Sequence, residues 1–235
     1  MRVQSKLLKF YLAGILVGAT FSSANAQYSD SPEVNTFRTA IGDKSPIYFG
    51  RHYRGYNKYH SNSHAFFESE DWQDALLDYN GNTYSTKLRF EIVSDIVLIP
   101  AYYNKNISIE VNPELVRAFS FNNQHFVRLG ENLPSFMRTG FYKVVFDGKV
   151  VFYSTRKKGI KEIIEGMTVK YAYVEIVNYF MKKDNEYIKV SSLGKLLKMF
   201  PDKKKEIKLQ LRKNNISFNK STEQALSIIG ASINN

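Results

Sequence analysis

The 235-residue chain contains no cysteine, only one tryptophan, four histidines and six prolines. Without cysteine the fold cannot be stapled by disulfides, cannot use a thiol nucleophile and cannot carry a lipidated cysteine. An ordinary hydrophobic core must therefore hold it. Also missing are the local signatures of several enzyme classes: no G-x-S-x-G elbow, no H-E-x-x-H, no G-x-x-x-x-G-K-[ST] and no G-x-G-x-x-G. A dispersed Ser-His-Asp set escapes this test, because its members meet only on folding. No cofactor is expected from these patterns.

Long apolar runs are scarce too, and the one that stands out is at the amino terminus. Arg2, Lys6 and Lys9 precede "FYLAGILVGATF", and "SSANAQ" follows, with Ala24 and Ala26 in small-x-small register. That order predicts a signal peptide over 1–26, with a chain beginning at Gln27 after cleavage. The run is shorter than the ~20 residues of a spanning helix, and no other stretch resembles one. Export to the periplasm, the cell surface or the medium is the expected localisation.

Charge is unevenly placed. Residues 181–235 carry 12 Lys and Arg against 5 Asp and Glu, whereas 27–180 are nearly balanced at 18 against 17. A basic segment favours anionic partners. In an exported protein these are an acidic protein face of the envelope, an acidic glycan or a lipid headgroup, not nucleic acid. Lys203, Lys204 and Lys205 are the densest cationic cluster, and a solvated helical surface is the plain alternative. The oligomeric state is not legible.

Residues 27–46 are polar and turn-rich and read as a flexible leader. Over about 74–190 the apolar period is two: Tyr84, Leu88, Phe90 and Ile92 alternate with polar residues, and Ile107, Ile109 and Val111 repeat the pattern. Asn80-Gly81 and Asp147-Gly148 predict tight primed turns, and a third hairpin is expected through Lys182–Asn185. Eight to ten strands in an antiparallel meander follow, as an open sheet or a partly closed barrel. From Ser191 the period becomes helical. Leu193, Leu196, Leu197 and Phe200 form one stripe, Pro201 ends it, and Asp202 is placed to cap a second helix carrying Ile207 and Leu211. Ser221 and Gln224 suit a capping box for a third. The expected fold is α+β: a β-rich domain over 47–190 and a helical tail over 191–235 packed on the sheet. The helical tail and the lack of a terminal aromatic strand argue against an outer-membrane barrel.

The stretch "YFGRHYRGYNKYHSNSHAFFESEDW" (48–72) gathers the chemically richest side chains. His60, His64 and Glu68 fall at intervals of four, a zinc-like set if the segment were helical. Gly50, Gly55, Asn57, Ser61, Asn62 and Ser63 make it a poor helix, so that spacing is not enforced. Tyr53, Arg54, Tyr56 and Tyr59 interleave aromatic faces with cations, an arrangement that grips sugars or anions. Tyr48, Phe49, Phe66, Phe67 and Trp72 could instead fill a sheet core, and Phe49, Phe66, Phe67 and Trp72 are read as core. Glu68, Glu70, Asp71 and Asp74 could supply a carboxylate pair to a polysaccharide- or peptide-directed hydrolase, or simply form an acidic loop.

Several segments together carry a resemblance: "SHAFF" (63–67), Trp72, "YNGNTY" (79–84) running into "LRFEIVSDIVLI" (88–99), the "FYKVVFDGKVVF" hairpin and the basic helical tail. As a set they resemble a group of exported Bacteroidetes proteins without an assigned activity, over most of 47–230. The chain departs from that pattern at Ser63 and Ala65, where a glycine and a proline are expected. The resemblance implies location and domain plan, and transfers no catalytic residue. The leading expectation is a non-enzymatic envelope protein that binds an acidic partner through its basic tail or its aromatic loop. The hydrolase is the alternative.

Overall fold

A computed structural model describes residues 42–56 and 63–234. The expected signal peptide, the leader up to residue 41, and Tyr59 and His60 lie outside the described residues. The described chain belongs to one compact unit, Ile41–Asn235. Two 3-10 turns, Gly42–Lys44 and Pro46–Tyr48, open the described residues, so positions 42–46, expected to be flexible leader, carry local structure.

Among the described residues eleven strands follow: β1 Arg51–His52, β2 Gln73–Tyr79, β3 Asn82–Glu91, β4 Ile96–Pro100, β5 Ser108–Glu110, β6 Val116–Phe121, β7 Gln124–Leu129, β8 Gly140–Phe146, β9 Val151–Glu165, β10 Thr168–Lys183 and β11 Glu186–Val190. Among the same residues three α-helices come after them: α1 Leu193–Met199, α2 Lys204–Lys213 and α3 Thr222–Asn234. The strands form one open antiparallel sheet in the order β1-β5-β4-β3-β2-β6-β7-β8-β9-β10-β11. The α+β meander is as expected, with one strand more than the eight to ten anticipated. Two meanders grow outward from β2, one through β3, β4 and β5, the other through β6 to β11. Among the described residues no helix is long and apolar enough to cross a membrane.

The tight turns follow from their residues. Asn80 and Gly81 both take positive φ between the paired Tyr79 and Asn82, and Asp184 and Asn185 do the same between Lys183 and Glu186. Asp147-Gly148 does not. The β8–β9 connection is longer, with a bulge between Val144 and Phe146, and neither residue has positive φ. Gly148 serves close approach instead: a Cβ there would lie 2.7 Å from Asn234 Oδ1. The same oxygen accepts from Lys149 N at 2.9 Å, so the end of α3 seats the connection. At the bulge, the Val145 carbonyl accepts from Ser227 Oγ at 3.1 Å, which pairs a backbone group in the irregular stretch.

The sheet curls. Phe90 on β3 meets Phe141 on β8 at 5.8 Å between ring centroids, although β2, β6 and β7 lie between them in the sheet. Leu77, Leu88, Ile92, Val97, Phe119 and Phe126 fill the concave side, and Phe67 plugs it edge-on against Phe121 and Phe126. A second core lies under the helices. Phe152 and Met181, from β9 and β10, meet Leu196, Leu197, Ile207, Leu211, Leu226 and Ile229. The helical stripes therefore dock as their spacing predicts. Ser192 caps α1 by accepting from Lys195 N. Asp202 caps nothing: α2 starts one residue later than that role requires, with Lys203 at the N-cap and no side-chain hydrogen bond.

Candidate functional site

Most of the aromatic stretch turns inward. Phe66 and Phe67 are buried, and Trp72 lies under the Arg89 guanidinium, 3.9 Å from the ring centroid. Tyr48 packs edge-on against Tyr102 at 5.5 Å. Phe49 corrects the core assignment. It is 70% exposed, because Ile47 takes the buried position of the preceding 3-10 turn and Phe49 falls at its C-terminal cap. Tyr53 packs on Phe66, and Tyr56 on Tyr173. Both are half-buried, so much of each ring is unavailable to a ligand, while Arg54 is exposed.

Tyr56 leads into a buried polar cluster that sequence reasoning missed. Glu91, at the end of β3, is 0% exposed. Its carboxylate accepts from Val93 N and Ser94 N in the β3–β4 turn and from the Tyr56 hydroxyl at 3.2 Å. Burial raises the Glu91 pKa above the ordinary carboxylate value, with the turn amides opposing the shift. Burial also pushes Tyr56 up to about 12 and lowers Lys158. Lys158 Nζ donates to the carbonyls of His64 (3.0 Å) and Phe66 (2.7 Å), pinning β9 against that segment. Each member of the cluster is thus committed to a turn or a carbonyl. The chemistry on show is structural, a capped turn and a staple, not an acid and base facing a cleft.

The acidic stretch is dispersed into local contacts. Glu68 accepts from Gln124, Asp71 from the Ser69 hydroxyl, and Asp74 pairs with Lys87 at 2.9 Å, all at the surface. The segment around His64 and Glu68 is not helical, so the interval of four does not align them. His64 Nδ1 accepts from Phe66 N. Among the described residues no three His, Asp or Glu side chains gather as metal ligands.

The basic tail is sorted by the helices. Lys203 is paired with Glu206 at 3.1 Å. Lys204, Lys208 and Arg212 stand one turn apart along α2, with Lys205, Leu209 and Lys213 on the adjacent row, and all six are exposed. Leu209 is 63% exposed in the middle of these cations. Beside them a groove of about 400 Å³ has Leu193, Leu211, Ile216 and Phe218 in its wall, and Lys208 and Arg212 at its edge.

Among the further hollows, two gather several charged side chains on the sheet. One of about 730 Å³ is lined by Glu114, Arg117, Arg128 and Glu131 among others. Its arginines are already engaged, Arg128 with Glu114 and Arg117 with Asp78. The other, about 330 Å³, sits at the foot of the long β9–β10 hairpin. Phe136, Met137, Tyr142 and Phe180 line it on the apolar side, and Arg138, Lys157 and Lys189 bring three cations to it. It has no acidic residue in its wall. Comparison with protein-family models, curated proteins and solved structures returns no match to this chain.

Proposed function

We propose that this chain is an exported, non-enzymatic protein of the cell envelope that binds an acidic partner through the outer face of α2. The observation that carries the reading is the placement of five exposed cations around exposed Leu209, beside an apolar groove. Cations alone would make a solvated surface. An apolar residue at their centre supplies the desolvated contact that binding energy concentrates on, with the charges as rim. The amino-terminal pattern of a signal peptide supports export, and the resemblance drawn from the sequence supports the same location. The aromatic loop is the weaker contact, since Tyr53 and Tyr56 are turned inward. Lys203 contributes less than its neighbours, because Glu206 holds it.

The experiment is capture from native envelope extract with tagged protein beside a Lys204/Lys205/Lys208→Gln variant. The expected result is an acidic partner retained by the parent, released by salt and lost from the variant. Equal capture by both removes α2 from the contact.

A further inference from the structure

We infer that the pocket at the foot of the β9–β10 hairpin is a binding site for a small amphiphilic monoanion: an apolar chain or ring bearing one carboxylate-type head. The inference does not rest on the α2 reading, since the two surfaces share no residue.

The pocket is built, and its construction can be followed residue by residue. Residue parity on β9 and β10 places Tyr153, Thr155 and Lys157 on one face with their cross-strand partners Phe180, Asn178 and Ile176. That face is opposite to the one bearing Phe152 and Met181, which the helices cover. The segment carrying Phe136, Met137 and Arg138 closes over it. It is held by the Tyr142 hydroxyl, which donates to the Arg138 carbonyl at 2.7 Å, and by Met137 N donating to the Pro134 carbonyl at 2.9 Å. Phe136 then lies parallel to Phe180 at 6.3 Å between centroids. Tyr142 is nearly fully buried and its hydroxyl is engaged, so it backs the pocket wall and offers a ligand no polar group.

The charges select the head group. Lys157 lies near part-buried Asp95, whose ionised form it favours, so part of its charge is spent. Arg138 and Lys189 are exposed and have no carboxylate partner among the described residues. Two free cations beside an aromatic floor stabilise one anionic head, while Thr155 and Asn178 add hydrogen-bonding groups that orient it. A polyanion would need more cations, and an uncharged amphiphile would leave these two without a partner. The apolar track runs on beyond the pocket. Ile176 and Val174 are exposed on the same face of β10, 59% and 45%. A chain leaving the pocket would lie along them, and Lys161 and Lys170 flank the farther part of that strip on the same face.

Octanoate is the probe, with octanol and octylamine as neutral and cationic counterparts, titrated calorimetrically into the full chain. The expected result is octanoate binding with a Kd of about 0.1 mM or tighter, at least tenfold stronger than octanol, and no binding of octylamine. Arg138→Gln with Lys189→Gln should erase the preference for octanoate over octanol. Phe136→Ser should weaken both to a similar extent. All three positions are exposed, and an unchanged thermal midpoint checks folding. The Lys204/Lys205/Lys208→Gln variant should bind octanoate as the parent does. Equal binding of octanoate and octanol, a preference surviving the double charge variant, or loss in the α2 variant overturns the assignment. So does absence of octanoate binding at millimolar concentration.

Discussion

Glu223, in the first turn of α3, lies 2.6 Å from Lys143 Nζ on β8. The same carboxylate accepts from Ser154 Oγ at 2.9 Å and pairs with Arg156 at 3.2 Å, so one helical side chain ties two strands to α3. Its position at the helix N-terminus adds a favourable dipole contact. Burial pushes the Glu223 pKa up, but the Lys143 hydrogen bond and the charges of Lys143 and Arg156 outweigh it and hold the pKa below the ordinary value. Glu223→Gln should cost about 2–3 kcal/mol at pH 7, because Lys143 and Arg156 lose a partly buried partner. A depressed native pKa contributes stability above the unfolded carboxylate value that is lost as pH falls through the native one. Urea unfolding of parent and variant, repeated toward acid, should therefore show the gap between them closing.

Glu91 has the opposite sign. Its native pKa is raised by burial, so its ionisation disfavours the fold as pH climbs from the ordinary carboxylate value, 4.5, toward the raised one. Glu91→Gln keeps an oxygen for Val93 N and Ser94 N and removes the charge. It should lose no stability at pH 7 and flatten the pH dependence of the thermal midpoint above the ordinary carboxylate value. Glu91→Leu should cost about 1–3 kcal/mol, since it strands those amides. A loss for the Gln variant as large as for Leu would mean that the charge itself stabilises the turn.

Two helical glycines should respond in opposite directions. A Cβ at Gly194, in α1, meets nothing within 4 Å, whereas one at Gly230, in α3, would lie 2.3 Å from the Phe146 ring. Gly194→Ala should stabilise by about 0.5–1 kcal/mol through helix propensity. Gly230→Ala should destabilise by about 1–3 kcal/mol through overpacking. Chemical denaturation of both variants against the parent decides each.

The α2 face predicts a separation of affinity from stability. Leu209→Ser should leave the unfolding free energy within about 0.5 kcal/mol, as for an ordinary surface change. It should weaken the acidic partner identified by capture about tenfold, which is about 1.4 kcal/mol of binding. The charge variant at Lys204, Lys205 and Lys208 should lower affinity and also flatten its salt dependence. A binding assay at two salt concentrations separates the two effects.

What was legible in the sequence was whatever a short window encodes. Asn80-Gly81 and the stripe of Leu193, Leu196, Leu197 and Phe200 each contain their own geometry, and the meander, the helices and their docking faces followed. Asn122-Asn123, both at positive φ between β6 and β7, form a further tight turn that lies outside the three hairpins expected from the sequence. Asp147-Gly148 misled because the same dipeptide serves a primed turn or a close approach, and the neighbour that decides, Asn234, is far along the chain. Phe49 misled because hydrophobicity cannot say which side of a 3-10 turn faces water. The pocket was hidden for a deeper reason. Phe136, Tyr142, Lys157, Phe180 and Lys189 come from four strands and a connection, and no spacing relates them before folding.

The β9–β10 hairpin and its helical cover also set an order of events. Phe152 and Met181 share their core with all three helices, of which α3, the last in the sequence, contributes Ala225, Leu226, Ile229 and Ile233. A chain threaded amino-terminus first can close the core around Phe90 and Phe126 while α3 is still to come. The second core stays uncapped until Leu226 and Ile229 arrive. Maturation of this half is thus timed by the last helix, and a chain halted before residue 222 would present a greasy sheet to its surroundings.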